Sequence, residues 1–420
     1  MKGDYESRGW KQRVEGESLL HLTSEEERML KGERGSGTQS AMELLVAIGE
    51  AFDAPRMIPV TRAHAASSGQ EGDLYFVEIL AKGGATCKIM TTTNPIVDFE
   101  YFQKFINISD EHQEASVAWK TKDCYRQIGA IMSWSCIPYL AENIPEYGEH
   151  VAFSESSATP YVNSVIGALT NRESIQTALA AGVVGATPEY GLHLRENRKG
   201  TVLVKVEANL KDGYSYSLLG QYVGKKITSG IPVFVGIPKR PTIDQYINLC
   251  AMLNVTGAIP MFHIPGITAE AKTEEEAFAG NIPKDKIVVT DHELLETQEE
   301  LQTATGPIDT VILGCPHYNL DQMAELAKLT KGKKLRDGVS FWVNTSATTK
   351  LLAERTGYVT VIEETGAHVV TDTCIDMFCW NNLKEKTGMT DSPKCAYYRR
   401  FGPVKMGTMG ECVAASMKGA

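Results

Sequence analysis

Short apolar runs alternate with amphipathic helical patterns along most of the chain. The clearest unit is an apolar run at 311–313, followed by a turn and by a helical pattern that begins with a capping box of Asn319 and Gln322. Comparable strand–helix units are predicted from 233, 287 and 341, as in a doubly wound sheet. We therefore expect an α/β fold of two or three lobes with mainly parallel sheets around a central cleft.

The first half of the chain also predicts strands that alternate with helices, at less regular spacing. Thr23 and Glu26 form another capping box, and helical patterns cover 41–52 and 72–82. We predict strands at 57–60 and 86–90, each followed by a loop of small or polar residues, at 61–69 and 91–95. The predicted division is an arm over 1–22, a first α/β lobe over 23–228, and a second lobe or lobes over 229–420.

Composition and charge exclude several classes of protein. A net charge of −10 over 420 residues, without clustered Lys and Arg, argues against a nucleic-acid partner. No apolar run reaches the roughly 18 residues of a membrane-spanning helix, and the polar first residues lack a signal-peptide core. We expect a cytoplasmic protein. The nine cysteines are too scattered for a disulfide framework.

Three cysteines occupy similar positions in the pattern. Cys136, Cys315 and Cys374 each follow an apolar run and lie in or before a turn. At the carboxyl ends of parallel strands they would meet in space, as ligands of an iron–sulfur cluster with one open iron. Such an iron is a Lewis acid that favours dehydration. Zinc is less suited, because the chain lacks a Cys-x-x-Cys pair, and a nucleophilic Cys315 with His317 as base stays an alternative.

Residues 148–200 are unusually rich in small and polar side chains for a folded core. Such a segment indicates a buried polar network or a ligand site, with a set of helix caps as the alternative. His64, His150 and His193 are candidates for acid–base chemistry. Lys394 lies late in the chain and is a candidate for an anionic substrate, with an ordinary surface lysine as the alternative.

Several motifs together resemble one family over the chain from about Leu22 to its end. They include Thr91-Thr-Thr-Asn-Pro95, Cys136-Ile-Pro-Tyr139, Tyr190-Gly-Leu-His193, Gly314-Cys-Pro-His317 and Asp372-Thr-Cys374. The combination is similar to the large, catalytic subunit of aconitase X, in the aconitase superfamily. The resemblance implies an aconitase-like α/β fold and an iron–sulfur hydro-lyase, with a 4Fe–4S or 3Fe–4S cluster on Cys136, Cys315 and Cys374.

The resemblance also implies the surroundings of the cluster. Substrate contacts fall on Ser67, Ser68, Gly69, Asn94, Pro95 and Lys394, with Arg62, His150, Asn171 and Arg172 as second-rank candidates. The proton-handling serine of the family is expected on a small swivelling domain. Because this chain ends at Ala420 without such a domain, a separate small subunit is the expected partner.

Two hydroxy acids are known substrates in the family, (R)-5-phosphomevalonate and cis-3-hydroxy-L-proline. Asn94-Pro95 and the split subunits resemble the phosphomevalonate enzymes, whereas Arg62-Ala-His64 resembles the hydroxyproline branch. Ser67-Ser-Gly69 departs from the Gly-Val-Ser of the phosphomevalonate enzymes, so the substrate stays open. The alternatives from other classes are a two-lobed metabolite-binding protein without turnover and a metal-free cysteine-dependent hydrolase.

Overall fold

The computed structural model describes residues 20–67, 69–106, 113–227, 229–383, 385–398 and 402–419. Ser68 and the arm predicted over 1–22, apart from its last three residues, lie outside the described residues. The helices are Ser24–Leu30 (α1), Ser36–Ala51 (α2), Glu71–Lys82 (α3), Phe99–Phe102 (α4), Gln113–Gln127 (α5), Ala158–Pro160 (α6), Ile175–Val184 (α7), Gly213–Lys226 (α8), Ile243–Gly257 (α9), Glu274–Phe278 (α10), Asp291–Leu301 (α11), Leu320–Thr330 (α12), Ala347–Arg355 (α13), Tyr358–Glu363 (α14), Pro393–Tyr398 (α15) and Met409–Ser416 (α16).

Short strands separate these helices, together with single helical turns. The strands are Met57–Pro59 (β1), Arg62–Ala65 (β2), Met90–Thr93 (β3), Ala152–Phe153 (β4), Ala186–Pro188 (β5), Val202–Val206 (β6), Pro232–Val235 (β7), Asp285–Val289 (β8), Thr310–Tyr318 (β9), Ser340–Thr345 (β10), His368–Val370 (β11), Gly388–Thr390 (β12) and Val404–Met406 (β13). Tyr161–Ile166 forms a π-helical turn, and 3-10 turns lie at Pro138–Leu140, Gly191–His193, Arg195–Arg198 and Phe378–Leu383.

A parallel sheet in the order β3-β2-β4 forms the centre of the first third of the chain. Helix α7 packs on β2, and α2 packs on α7. Every residue of α7 from Thr177 to Val184 is buried. A helix that is apolar all round belongs in the interior of a protein. Helix α7 therefore fixes the position of this sheet in the core.

The later strands divide between two parallel sheets. One has the order β7-β6-β8, and the other has the order β11-β10-β9-β12-β13. The expectation that the units from 233, 287 and 341 belong to one doubly wound sheet is therefore wrong. An apolar run predicts that a strand forms, but it does not say which neighbour the strand pairs with. The mainly parallel α/β character is confirmed, since only β1 and β5 pair antiparallel among the named strands.

The predicted boundary between lobes falls at 228/229, between two strands that pair with each other. β6 precedes this point, whereas β7 and β8 follow it, and the three strands form one sheet. The division of the chain into lobes over 23–228 and 229–420 stays a prediction.

Two local predictions in the first third are wrong. The loop expected over 61–69 contains β2, and the strand expected over 86–90 begins only at Met90. In β2, Ala63 and Ala65 lack the branched side chains that indicate a strand, yet both are fully buried. In β3, three threonines read as a polar loop, but they are buried and their branched side chains suit a sheet.

The capping boxes are confirmed. Thr23 and Glu26 form the box that begins α1, and Asn319 and Gln322 form the box that begins α12. In both helices the side chain of the cap accepts a hydrogen bond from a backbone N–H that otherwise has no partner. Asn319 is therefore the single residue between β9, which contains Cys315, and helix α12.

Candidate active site

The candidate site forms where loops from two parallel sheets meet. The loop after β3 contacts the loop after β11: Ile96 and Thr373 form a parallel bridge, and the Cys374 N–H donates to the Ile96 carbonyl at 3.3 Å. The Asp98 N–H also donates to the Thr373 hydroxyl at 3.0 Å. Ligands of open α/β sheets bind at the carboxyl ends of strands, and here two such edges are joined by hydrogen bonds.

The three candidate thiols lie at this junction. The His317 N–H donates to the Cys136 sulfur at 3.2 Å, which joins segments 181 residues apart. Cys136, Cys315 and Cys374 are near enough that a charge on one thiol would raise the pKa of another. Burial raises the pKa of Cys136 and of Cys374 to about 12, and it raises the pKa of Cys315 well above its usual range. Without a ligand these thiols are therefore protonated at neutral pH.

The three segments differ in their secondary structure. Cys315 lies within β9, and Cys374 lies four residues after the end of β11. Cys136 follows no named strand: it lies in the loop between α5 and the turn Pro138–Leu140. The expectation that all three thiols lie in or beside turns at strand ends is therefore wrong for Cys136, although an isolated bridge from Ile131 to Thr92 keeps its loop beside β3. It is also wrong for Cys315, because the strand predicted over 311–313 continues to Tyr318.

Gly314 brings the Cys315 segment against the neighbouring strand. Its φ is +84°, and a Cβ atom at this position would lie 2.0 Å from the Asn344 carbonyl oxygen in β10. Glycine is required here, because other residues carry a Cβ and disfavour positive φ. The Asn344 side chain donates to the Leu313 carbonyl at 3.0 Å, and the Ser392 hydroxyl donates to the Cys315 carbonyl. The peptide bond between Cys315 and Pro316 is cis.

Lys394 and Glu155 form a buried ion pair beside the thiols. The Lys394 Nζ lies 2.9 Å from Glu155 Oε1 and donates to the Ser156 hydroxyl at 2.8 Å. Their side chains are only 7% and 6% exposed. Burial alone would raise the pKa of Glu155, but the Lys394 ammonium and hydrogen bonds from Ser156 and Asn94 hold it at about 2. Burial lowers the pKa of Lys394, but the Glu155 carboxylate raises it more, well above its usual range. Lys394 is therefore a buried cation and not a surface lysine.

A chain of buried polar side chains extends from this ion pair into the first sheet. Asn94 donates through Nδ2 to Glu155 Oε2 and contacts His64 Nε2 through Oδ1 at 2.8 Å. His64 Nδ1 contacts the Thr92 hydroxyl at 2.8 Å. Burial lowers the pKa of His64 to about 4, so the imidazole is neutral at physiological pH.

The loop after β2 lies against the Cys374 loop. Gly69 has a φ of +65°, and a Cβ atom there would lie 2.9 Å from the Met377 sulfur. Ser67 and Pro95 are both buried. The structure therefore brings the candidate substrate residues 67, 69, 94, 95 and 394 to the same junction as the three thiols. Their role as substrate contacts stays a prediction.

The second-rank candidates lie in different places. Arg62 is the first residue of β2, about 10 Å from the carboxyl end of this strand. It forms an ion pair with Glu149 at 3.1 Å, while His150 contacts His193, Nδ1 to Nδ1, at 3.0 Å. Arg62 therefore lies at the opposite edge of the sheet from Ser67, and His150 follows it there, because its carbonyl accepts a hydrogen bond from the Thr61 N–H.

Asn171 and Arg172 follow a segment that runs beside β4. Asn171 is buried, donates to the Tyr190 carbonyl at 3.1 Å and accepts from the Leu192 N–H at 2.8 Å, so its amide supports the loop at 190–192. Arg172 has an exposed side chain, and the next N–H, that of Glu173, donates to the Phe153 carbonyl at the end of β4. Arg172 is thus an exposed cation at the carboxyl edge of the sheet.

Sequence reasoning missed Glu155, Thr92 and Asn143. Glu155 lies in the polar segment over 148–200, and there the network interpretation is confirmed, since Glu155 is buried and fully engaged. The scarcity of apolar residues over 148–200 indicated such a network, but it did not identify Glu155 as a member. The pairing of Glu155 with Lys394, 239 residues away, has no local signature.

Together these features define an α/β protein with a thiol-rich site between two parallel sheets. Models of the aconitase X first, second and third domains match residues 19–196, 200–299 and 308–418. The chain belongs to the aconitase X family.

Individual relatives match over most of the chain. The phosphomevalonate dehydratase large subunit of Thermococcus kodakarensis is 35% identical over 91% of this chain and 96% of that protein. The cis-3-hydroxy-L-proline dehydratase of Hypocrea jecorina is 31% identical over 95% of this chain and 69% of that protein. The crystal structure of Thermococcus kodakaraensis aconitase X in its holo-form has a TM-score of 0.84 and 34% identity, covering 94% of this chain and 100% of that one.

In the part of the chain that the structure describes, no helix is both long enough and apolar enough to cross a membrane.

Proposed function

We propose that this chain is the large subunit of an iron–sulfur dehydratase that acts on a small hydroxy acid, with phosphomevalonate and cis-3-hydroxy-L-proline as the candidate substrates. The observation that carries the proposal is the meeting of three thiols, two buried and one half-buried, with a buried, charged lysine at one junction of two sheets. Relatives of both substrate types are dehydratases by name, and this supports elimination of water as the reaction.

The donor set fits an iron–sulfur cluster better than a single ion. Cys136, Cys315 and Cys374 would hold the cluster, each binding a different iron, so their sulfur atoms need not converge on one point. Within the described ranges, no group of three His, Cys, Asp or Glu side chains has the arrangement of a single-ion site. When bound, a cluster with three protein ligands supplies an iron with an open position, a Lewis acid for the departing hydroxyl group.

The residues of this chain would bind and orient the substrate. Lys394 donates to Glu155 and Ser156, which leaves its third N–H for a carboxylate or phosphate oxygen. Its pairing with Glu155 keeps it charged in a buried site, where an electrostatic contact is stronger than in water. Asn94 has a second Nδ2 hydrogen for the same purpose. Gly69, which lies against Met377 of the Cys374 loop, would help to exclude water.

The geometry does not favour the cysteine hydrolase. A cysteine nucleophile needs a lowered pKa and a neighbouring base, whereas burial raises the pKa of Cys315. The His317 ring contacts the Thr373 carbonyl at 3.2 Å, and it is the backbone N–H of His317, not its ring, that meets the thiol of Cys136.

Sequence identity favours the phosphomevalonate type, since a large subunit of that type is 35% identical to this chain and a hydroxyproline enzyme is 31% identical. The name of the first relative, a large subunit, supports a separate small-subunit partner. Phosphomevalonate carries a carboxylate and a phosphate, and Arg172 offers a second cation, exposed at the sheet edge to which Glu155, the partner of Lys394, belongs. We propose that a small subunit completes the site and brings the proton-handling serine, and that the complex is cytoplasmic.

The test is an anaerobic assay of the reconstituted chain, with and without a co-expressed small subunit, on both substrates in parallel. We expect iron and acid-labile sulfide to co-purify with the chain, and water elimination from one of the two substrates only in the presence of the small subunit. A chain that holds iron and sulfide but converts neither substrate would contradict the substrate proposal. A folded chain that binds no iron would contradict the cluster proposal.

A further inference from the structure

The buried side chains behind Glu155 form one continuous line of hydrogen bonds. Asn143 donates through Nδ2 to the Ala63 carbonyl at 2.9 Å and to the Thr92 hydroxyl at 2.8 Å. Thr92 contacts His64 Nδ1, His64 Nε2 contacts Asn94 Oδ1, and Asn94 Nδ2 contacts Glu155. Thr92, His64 and Asn143 are at most 1% exposed, so water does not compete for these contacts.

The direction of each hydrogen bond in this line is determined at its two ends. The Ala63 carbonyl only accepts, so the Asn143 atom facing it is the nitrogen, which also donates to Thr92. The Thr92 hydroxyl hydrogen is then left for His64 Nδ1, and the proton of the neutral imidazole lies on Nε2. This N–H donates to Asn94 Oδ1, which turns the Asn94 amide nitrogen towards Glu155.

The reversed direction is penalised at both ends. A proton on His64 Nδ1 would leave the buried Thr92 hydroxyl without an acceptor. It would also require Asn94 to turn its oxygen towards a Glu155 oxygen, so that two acceptors face each other unless Glu155 is protonated. A protonated Glu155 would leave Lys394 without its counter-ion.

We infer that His64, as the Nε2–H tautomer, is a positioning residue that orients the Asn94 amide and thereby keeps the Glu155–Lys394 pair ionised beside the three thiols. His64 acts through Asn94 and Glu155 and is two side chains away from Lys394. The inference rests on the proposed function only for its effect on turnover, since the tautomer is a property of the chain alone.

The first test observes the tautomer directly. Long-range proton–nitrogen NMR of the full-length protein with labelled histidines distinguishes the two ring nitrogens, and the signals that disappear in H64Q belong to His64. We expect His64 to be protonated on Nε2 alone from pH 8 to pH 5.5. A matched pair at Thr92 tests the anchor: T92S retains the hydroxyl that donates to Nδ1, whereas T92V removes it, so the Nδ1 signal should stay in place in T92S and shift in T92V while Nε2 keeps its proton. A wild-type His64 protonated on Nδ1 would overturn the inference.

The second test compares two replacements of His64. In glutamine the amide nitrogen takes a position similar to Nε2 and can donate to Asn94, whereas asparagine is too short to do so. We expect H64N to lose about 10- to 100-fold in kcat/KM, the usual cost of losing such a supporting contact, and H64Q to lose much less. Equal losses in both folded variants would mean that His64 only fills space, and would overturn the positioning role. If the protein is not a dehydratase, both variants are inactive alongside the wild type, and the NMR result decides alone.

Discussion

Replacing Lys394 by methionine tests the buried ion pair at the centre of the site. Methionine keeps much of the apolar stem but removes the ammonium, so the Glu155 carboxylate stays buried with hydrogen bonds from Asn94 and Ser156 alone. Removing one partner of a buried pair is costly because the remaining charge is desolvated without compensation. We expect K394M to be markedly less stable than the wild type at neutral pH and to have lost turnover.

The size of the effect follows from the pKa of Glu155. A shift from 4.5 to about 2 corresponds to about 3 kcal/mol of stabilisation of the charged form in the folded state. Measured losses on breaking buried pairs are about 3–5 kcal/mol. We therefore expect K394M to lower the free energy of unfolding by about 3 kcal/mol or slightly more at pH 8.

The pH dependence has a defined sign. In the wild type the folded pKa of Glu155 is below its unfolded value, so the stabilisation is complete above about pH 4.5 and is lost as the pH falls towards 2. In K394M burial dominates and the pKa rises, so the deficit is largest at pH 8 and shrinks as acid neutralises the carboxyl group. Urea unfolding at pH 8 and pH 5, at matched iron content, measures both effects.

A double variant provides the control. E155Q/K394M removes both charges, and a neutral pair of similar volume is usually tolerated, so most of the lost stability should return while turnover stays absent. If K394M is as stable as the wild type at pH 8, or if the double variant is no more stable than K394M, the ion pair does not contribute as argued here.

Three further predictions concern the thiols, the Cys315 segment and a buried histidine. Replacing Cys136, Cys315 or Cys374 singly by serine should abolish bound iron, visible absorbance and turnover. The same change at the partly exposed Cys87 should leave iron, absorbance and turnover intact. Iron bound in any of the first three variants would contradict the ligand set. G314A should cost more stability in thermal unfolding than G357A, because both glycines have positive φ but only a Cβ at Gly314 would meet a backbone carbonyl. About 1–2 kcal/mol is expected for G357A. Equal losses would contradict the close approach of Gly314 to the Asn344 carbonyl. Burial lowers the pKa of His193 from 6.5 to about 3, so the unfolded chain takes up a proton that the folded chain excludes. Stability should therefore fall as the pH drops from about 6.5 towards 3. H193Q should flatten this pH dependence of the urea midpoint, and an unchanged slope would contradict the prediction.

Local sequence patterns predicted the parts of this molecule that neighbours in sequence determine. Asn319 and Gln322 cap α12 because both partners of the box lie within one helical turn. The strand–helix alternation likewise predicted parallel sheets. It did not predict that β6 joins β7 and β8, because strand pairing depends on residues far apart in the chain.

The candidate site was predictable in its thiols and not in its ion pair. Cys136, Cys315 and Cys374 stand out because apolar runs precede them, and the family resemblance implies the same three residues. The charge of Lys394 depends on Glu155, which lies at the edge of the other sheet. The burial of Lys394 depends on how the segments that carry these two residues pack together. His64 lies in β2, where the small residues beside it predicted a loop and not a strand. Its contact with Asn94 therefore could not be predicted from the sequence.

The bridge between Ile96 and Thr373 has a consequence for the timing of assembly during synthesis. The first sheet can form while the ribosome is still producing the later domains, since domains fold in order from the amino terminus. The partners that complete the junction, Thr373, Cys374 and Lys394, are synthesised long after β4, which is the last strand of that sheet in chain order. Whatever group the three thiols hold together can therefore be loaded only after these later residues have been synthesised and have reached the first sheet.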